Sequence, residues 1–518
     1  MKKILLILYV IIPYIVNAST YYVSTTGNDS NTGTITSPWL TWHKGFNSLI
    51  AGDSLIIRGG IYQSSGMNSG NPYFGYCGVY VSGHHGTSVN LITVTNYPGE
   101  TPVLDMILSN QAAYSHTGIC LNNCNYWLVK GLEIKNAKQF SGHGAFGCWF
   151  ENVNHCKFER LVSHDNGGSG ILIHWNSEDN LILNCDGYNN VDPFTGGDNS
   201  DGIEVSFIKY REGNPRINTI RGCRAWHNSD DGYDHYSYDG VLIIDSCWAW
   251  GNGAYMGIGN GFKLGKTNNT EYNDLGIVQR IVTNCIAAYQ DIHGFTNNDY
   301  VNDGAHGVTM HIFNNIAYKN GWDGFEWTFN WAPYILRNNI SYANTRFPVS
   351  PIMYGTNYSV DHNSWNGFTV NDADFTALDT TEFYKPRKAN GSLPDLISFH
   401  LKPTSDMING GVNVGLPYYG SAPDIGVFEY IPPAEVKLSS SPSGIMVYPN
   451  PMSEELTIEC DVNNGLINFE IFNSGGLSVI KGNIAQKTVI STKNLASGIY
   501  IIKLENGKSF ELKKIIKL

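Results

Sequence analysis

The sequence predicts an all-β protein, a parallel β-helix followed by a small β-sandwich. The chain contains 56 glycines and 31 tyrosines, and only 15% of its residues are charged, which favours short strands joined by turns. Glycines that open short strands recur about every 30 residues, as in a solenoid. They are Gly170, Gly202, Gly232, Gly261, Gly294 and Gly324. A β-propeller is the alternative, but its hairpin signals are weak.

The first residues have the features of a signal peptide. Lys2 and Lys3 precede an apolar run, and Val16-Asn17-Ala18 resembles a small-residue cleavage site. We expect residues 1–18 to be removed and no later segment to span a membrane. The mature protein is therefore predicted to be secreted, either extracellular or at the cell surface.

The remaining chain divides into three parts. Residues 19–430 are predicted to form the β-helix, and 19–65 read as strand, polar loop, short helix and strands, which suits a cap over the first coil. Residues 431–444 are rich in proline and serine and are predicted to be a linker. Alternating strands in 445–518 predict a small antiparallel sandwich.

This last region also resembles the C-terminal sorting domain of type IX secretion cargo. The resemblance rests on the "YPNP" and "GIY" sequences within residues 445–518. It implies that the type IX secretion machinery is a partner, and that the domain is an address that is normally removed on export.

One position of the repeat is shared by two residue types. It is occupied by Cys185, Cys223, Cys247, Cys285, Asn315 and Asn339. A position that accepts both cysteine and asparagine indicates a small interior site repeated from coil to coil. Although an exported protein could form disulfides, we expect these cysteines to stack rather than to crosslink.

The run "NSDDGYDHY" (228–236) contains three aspartates within five residues, Asp230, Asp231 and Asp234. Carboxylates this close repel one another unless a positive charge lies among them, and a glycine turn can aim them at one point. Ca²⁺, which takes about six to eight oxygen ligands, is the expected cation. A turn of solvated aspartates is the alternative.

Neighbouring coils extend this cluster. The segment "GGDNSDGIEV" places Asp201 one repeat earlier, and "GNGFKLG" places Lys263 one repeat later. Equivalent positions in successive coils lie about 4.8 Å apart, so these residues should be neighbours on one face. The alternative role for Lys263 is a purely structural ion pair.

Residues from about 20 to 430 resemble the right-handed β-helix pectate lyases of polysaccharide lyase family 9. The resemblance rests on "YYVSTTGNDSNTGT", "DDGYD" and "GNGFKLG". It implies a Ca²⁺-dependent enzyme that cleaves galacturonate-containing pectic polymers by β-elimination and leaves a 4,5-unsaturated uronide. It also implies the Ca²⁺ ligands Asp201, Asp230, Asp231 and Asp234, with Lys263 as the base that removes the C5 proton. Tyr233 departs from the family pattern, where we expect tryptophan.

A net charge of −12 would repel a polyanion, so substrate binding requires the metal and a local cationic patch. The candidate substrate-binding residues are Lys209, Arg211, Arg216, Arg221, Tyr233 and His235. For the basic residues, a solvated surface is the alternative. The histidines show no zinc pattern, nucleic acid is not an expected partner, and we expect a monomer.

Other functions remain open at this stage. A rhamnogalacturonan lyase or another uronide lyase could use the same site. A metal-independent pectin hydrolase would use paired carboxylates and water. A β-helical glycan-binding adhesin would use Ca²⁺ only structurally. Detection of unsaturated products with and without chelator separates these possibilities.

Overall fold

The computed structural model describes residues 18–71, 74–140, 144–211, 213–253, 256–266, 279–298, 308–328, 330–353, 357–432, 445–460, 467–473, 476–484, 486–505 and 510–518. The predicted signal peptide and linker lie almost entirely outside these residues. The chain divides into two compact units between Tyr430 and Ile431. Within the described ranges, no helix is long and apolar enough to cross a membrane.

The first unit is a parallel β-helix, as predicted, whose coils contribute strands to three sheets. The first sheet contains Thr20–Val23, Ser54–Ile57, Ile92–Asn96, Trp127–Lys130, Lys157–Glu159, Asn180–Leu183, Ile217–Arg221, Val241–Asp245, Arg280–Thr283, Met310–Phe313, Tyr334–Arg337 and Tyr358–Asp361. The second contains Gly60–Gln63, Pro102–Asp105, Glu133–Lys135, Val162–His164, Asp186–Tyr188, Arg224–Trp226, Trp248–Trp250, Ile286–Ala288, Ile316–Tyr318 and Ile340–Tyr342.

The third sheet contains Met67–Asn68, Tyr76–Ser82, His116–Asn122, Ala145–Glu151, Ile171–His174, Ile203–Ser206, Tyr233–Asp234, Phe262–Lys263, Phe295–Thr296 and Phe325–Glu326. Its strands are parallel except for the first pair. Inward side chains of all three sheets form one continuous apolar core along the helix axis. The outward face of the third sheet is the one that carries the predicted acidic cluster.

The shared cysteine and asparagine position forms an interior ladder. Its members are Cys185, Cys223, Cys247, Cys285, Asn315, Asn339 and Asn363, and the backbone N–H of Cys285 donates to Asn315 Oδ1 at 2.9 Å. All ten cysteines are buried free thiols. A second ladder, at the turn after the second sheet, consists of Asn166, Asn190, Asn228, Asn252, Gln290, Asn320 and Asn344. Buried amide side chains thus satisfy backbone groups that the turns leave unpaired.

The short helix expected near the N-terminus is Trp42–Asn47, and Thr41 caps it by accepting from the backbone N–H of Lys44. Its Trp42 and Phe46 are buried in the core of the β-helix. At the other end of this unit the coils stop at Tyr358–Asp361, so the segment up to residue 430 is not repetitive.

The segment that follows the last coil packs on the second sheet. It contains the 3₁₀ helices Asp372–Asp374 and Thr380–Tyr384. Arg387 anchors it, because Nη2 lies 2.6 Å from Oδ1 of the buried Asp186, which also pairs with Arg224 at 2.8 Å.

The second unit is a small antiparallel β structure, as predicted. One sheet contains Ile445–Tyr448, Glu455–Cys460 and Lys487–Ser491, and the other contains Ile467–Asn473, Ser478–Ile484, Gly498–Glu505 and Phe510–Lys517. Its apolar residues form a core of their own.

Candidate active site

The outward face of the third sheet aligns the charged residues of successive coils. Asp234 pairs in register with Glu204 on one side and with Lys263 on the other. Because equivalent residues of paired strands project to the same face, the three side chains form a row across the sheet. Asp201 and Asp231 belong to the turns that lead into the strands of this row.

Asp201 and Asp231 occupy the same position in successive turns. The backbone N–H of Asp231 donates to Asp201 Oδ1 at 3.0 Å, and the N–H of Asn260 donates to Asp231 Oδ1 at 2.7 Å. One oxygen of each carboxylate is therefore fixed by the next coil. The other oxygen of each carboxylate contacts side chains of the site, Ser169 for Asp201 at 3.2 Å and Lys263 for Asp231 at 3.0 Å.

Three carboxylates converge as a cation site would require. One oxygen from each of Asp201, Asp230 and Asp231 lies within 4.8 Å of the others. Since Ca²⁺ binds oxygen at about 2.3–2.6 Å, ligands around one ion are separated by at most about 5 Å. The buried Oδ2 of Asp231 accepts no hydrogen bond from the described residues, and its charge partner there is the ammonium of Lys263 at 3.0 Å. An all-carboxylate donor set fits a hard divalent cation.

Asp234 is not part of that three-residue group but contacts Lys263. Lys263 Nζ lies 3.0 Å from Asp234 Oδ2 and 3.0 Å from Asp231 Oδ2. Burial alone would lower the pKa of Lys263, but Asp231, Asp234, Asp230 and Asp201 together raise it above its ordinary value. Without a metal, Lys263 is therefore the positive partner of this acidic cluster.

The same crowding disfavours the charged forms of the aspartates. Burial raises the pKa of Asp234 to about 6, against the opposing effect of Lys263. Burial and neighbouring carboxylates also raise the pKa values of Asp201 and Asp230. A divalent cation would relieve this repulsion.

Asp201, Asp234 and Lys263 border a cavity of about 350 Å³. Its lining comprises Phe146, Leu172, His174, Asp198, Asn199, Asp201, Glu204, Phe207, Asp234, Tyr236 and Lys263. A volume of this size lies within the range of small-ligand sites, and polar groups converge on one wall while aromatic rings form another.

The expectation that Tyr233 and His235 contact substrate is wrong, because both side chains are fully buried. Tyr233 stacks on Phe262 inside the coil, with ring centroids 4.6 Å apart. Adjacent residues of a strand face opposite sides, so an outward Asp234 requires both neighbours to point inward. The residue that lines the cavity is Tyr236.

The four predicted basic residues do not form one patch. Arg211 pairs with Glu178, and Arg221 pairs with Asp245 at 3.0 Å on the first sheet. Arg216 Nη2 donates to Asn176 Oδ1 at 3.1 Å. Lys209 Nζ lies 4.1 Å from the ring centroid of Trp175, near the cavity.

Sequence reasoning missed a polar cluster beside the aspartates. Ser169 Oγ lies 2.8 Å from Glu204 Oε2 and 3.2 Å from Asp201 Oδ2, two acceptors for its single proton, and His174 Nε2 lies 2.8 Å from Ser206 Oγ. Burial would raise the pKa of Glu204, but hydrogen bonds with His174 and with Ser206 hold it below its ordinary value. The signal was present in "SDGIEV", where Glu204 follows Asp201 with the same spacing as Asp234 follows Asp231.

A carboxylate cluster beside a lysine, on the outer face of a parallel β-helix, provides the groups that a polysaccharide lyase uses. Comparison with known proteins supports this class. Pectate lyase L of Dickeya dadantii is 29% identical over 427 residues, which cover 79% of this chain and 90% of that protein. Pectate lyase L of Paenibacillus polymyxa is 30% identical over 426 residues, covering 77% and 85%.

The crystal structure of pectate lyase Pel9A has a TM-score of 0.63 and 27% identity, covering 80% of this chain and 97% of that one. Residues 21–350 match the family model described as the Pel9A-like right-handed β-helix region. The chain belongs to this family, and the predicted right-handed β-helix is confirmed.

Residues 446–518 match a secretion system C-terminal sorting domain. The predicted type IX sorting domain is thereby confirmed. Its presence indicates a secreted or cell-surface protein.

Proposed function

We propose that the protein is a Ca²⁺-dependent pectate lyase that cleaves polygalacturonate by β-elimination. The observation that carries the proposal is the contact of Lys263 Nζ with Asp231 and Asp234, each at 3.0 Å, beside three convergent carboxylates. A base and a site for a divalent cation thus share one cavity. The relatives named pectate lyase support the choice of substrate.

Asp201, Asp230 and Asp231 would hold the cation, and Asp234 is proposed as the fourth ligand. Asp201 and Asp231 keep their orientation because their other oxygens accept backbone hydrogen bonds at 3.0 and 2.7 Å. Ser169 fixes the outer oxygen of Asp201 at 3.2 Å. Preorganisation of this kind lowers the cost of arranging ligands when the metal binds.

The reaction requires removal of the C5 proton of a uronate. That proton is weakly acidic, because the negative charge left by its removal spreads onto the C6 carboxylate. When bound, a Ca²⁺ ion would neutralise this charge and the carboxylates around Lys263, which favours loss of a proton from both C5 and Nζ. Neutral Lys263 then takes the C5 proton on Nζ, the electron pair of the C5–H bond forms the C4=C5 double bond, and the C4–O4 bond breaks while O4 takes a proton from water.

Asp234 and the cavity walls assist Lys263. The 3.0 Å contact with Asp234 Oδ2 holds Nζ at the cavity, and the side chain of Lys263 remains 19% exposed and open to substrate. The proton taken from C5 would leave through this exposed side. Phe207 and Tyr236 border the space in which a sugar would lie.

The test is incubation of the purified protein with polygalacturonate, highly methyl-esterified pectin or rhamnogalacturonan, each with and without chelator. We expect ultraviolet absorbance from the unsaturated product, strongest with polygalacturonate and abolished by chelator. Reducing ends without absorbance would indicate a hydrolase. Binding without cleavage would indicate an adhesin, and absorbance only from rhamnogalacturonan would reassign the substrate.

The proposed route of export depends on a signal peptide at the N-terminus and a sorting domain at the C-terminus. We propose that residues 1–18 are removed as a signal peptide and that 445–518, joined by the linker 431–444, address the enzyme domain 19–430 to the type IX machinery. The match of residues 446–518 to a sorting domain supports this proposal. Mass spectrometry of the exported protein tests both cleavages.

A further inference from the structure

Three aromatic side chains form a row across successive coils, and two of them border the cavity. We call Trp175, Phe207 and Tyr236 the aromatic row. The ring centroids of Trp175 and Phe207 are 6.4 Å apart, and those of Phe207 and Tyr236 are 5.5 Å apart. Phe207 and Tyr236 line the cavity together with Asp201, Asp234 and Lys263. The row therefore extends the site parallel to the helix axis.

A lysine lies over each end of the aromatic row. Lys209 Nζ is 4.1 Å from the ring centroid of Trp175, and Lys266 Nζ is 4.9 Å from that of Tyr236. Neither lysine forms an ion pair with a residue that the structure describes. In a protein with a net charge of −12, such cations beside the cavity can attract an anionic ligand.

The backbone conformation at two positions of the row does not require an aromatic residue. Trp175 and Phe207 have left-handed φ angles of 62° and 51°. The equivalent residues of the two preceding coils are Asn123 and Asn152, with φ angles of 52° and 53°. Asparagine tolerates this conformation, whereas bulky residues are strained in it.

Packing does not compensate for this strain at Phe207, because its side chain is 37% exposed. Strained and exposed residues beside a cavity are typical of functional positions. Phe207 thus combines a strained backbone with exposure beside the cavity, and positive charge lies at both ends of the row.

We propose that the aromatic row, with Lys209 and Lys266, binds the uronate residues that flank the cleaved bond. This inference rests on the proposed function and adds a determinant of substrate binding. Coils are spaced about 4.8 Å apart, similar to the length of one sugar in an extended 4-linked chain. Sugar faces would contact Phe207 and Tyr236, while the ammonium groups contact carboxylates of the same chain.

The central test is Phe207→Asn, which restores the residue type found in the preceding coils. We expect KM for polygalacturonate to rise about tenfold, as loss of an aromatic contact implies, while kcat changes less. The thermal midpoint should stay the same or rise, because the backbone strain is removed. A residue needed only for packing would show the reverse pattern.

Tyr289→Asn is the matched control. Tyr289 also has a left-handed φ angle, 53°, is 43% exposed, and has Lys319 Nζ 5.8 Å from its ring centroid. It does not line the cavity of the active site. Its KM should therefore equal that of the parent protein, and a tenfold rise in this control would overturn the proposal.

The lysines are tested by Lys209→Met and Lys266→Met. Each should raise KM about threefold at low salt, because an exposed charge pair is weak, and the difference should vanish at high salt. The difference in KM between variant and parent should also be smaller on methyl-esterified pectin fragments, whose carboxyl groups are uncharged. A KM that is unchanged at low salt in both variants would remove the lysines from the subsite.

Failure of this inference is distinguishable from failure of the proposed function. If the parent protein forms no unsaturated product from any uronide polymer, the proposed function fails. If the parent is active and Phe207→Asn has an unchanged KM, only the assignment of the aromatic row fails.

Discussion

Replacing Lys263 tests the site most directly, because the residue has two separable roles. In the structure it is the counter-ion of Asp231 and Asp234, and in the proposed reaction it is the base. Lys263→Met removes both roles. Lys263→Arg keeps the positive charge, but a guanidinium does not give up its proton at working pH.

The magnitudes follow from the geometry. At an effective dielectric constant of about 20, one contact at 3.0 Å corresponds to an attraction of about 5 kcal/mol before desolvation is subtracted. Removing one partner of a buried pair typically lowers the free energy of unfolding by about 3–5 kcal/mol. Loss of a general base typically lowers kcat by about 10²–10⁴-fold.

The assay combines denaturation by urea, in chelator and in Ca²⁺, with initial rates of unsaturated product formation. Lys263→Met should lose about 3–5 kcal/mol in chelator, less in Ca²⁺, and nearly all activity. Lys263→Arg should retain most of the stability but lose activity to the same extent. An active Lys263→Arg variant would refute the assignment of the base, whatever its stability.

Four further outcomes are expected. With Ca²⁺ at about 100 times its Kd, the parent should gain about 2.7 kcal/mol of stability in calorimetry, whereas Asp231→Asn should gain almost none. The folded-state pKa of Asp234, about 6, lies above its unfolded value of about 3.9, so its contribution is full below about pH 4 and is lost as the pH rises through 6. In chelator, the stability of the parent relative to Asp234→Asn should therefore fall by up to about 3 kcal/mol between pH 4 and 7, and a rise would contradict the burial argument. Arg387→Met should lower the free energy of unfolding by about 3 kcal/mol, because Asp186 is only 5% exposed, without changing KM. Cys285→Asn should cost less than about 1.5 kcal/mol, and Cys285→Leu clearly more, if the ladder position accepts either polar partner.

The fold could be predicted from features that repeat. The six predicted glycines before third-sheet strands and the shared cysteine and asparagine position each recur once per coil. The second ladder, which includes Asn228 and Asn252, was not predicted. Many turn asparagines look alike in sequence, and only the backbone determines which of them point inward.

The site was predicted where register alone decides proximity. Asp234 and Lys263 are paired residues of adjacent strands, so the repeat spacing sufficed to bring them together. The burial of Tyr233 and His235 follows from strand alternation once Asp234 is placed outward, and the prediction did not apply that rule. The ion pairs of Arg211 and Arg221 depend on the reach of a long side chain toward Glu178 or Asp245, which is not encoded in spacing.

Burial of the acidic cluster without a metal is energetically unfavourable, and the ammonium of Lys263 reduces this cost. Asp201, Asp230 and Asp234 all have raised pKa values, which means that their burial favours protonation or a nearby cation. The ammonium of Lys263 meets that need, and the same contacts raise its own pKa and keep it from acting as a base. In the proposed reaction, a bound divalent cation would replace the ammonium as the neutralising charge. The proposed arrangement therefore couples the availability of the base to occupation of the metal site. We expect binding of Ca²⁺ to be accompanied by release of a proton from Lys263. Calorimetry in buffers of different ionisation enthalpy can measure this proton release.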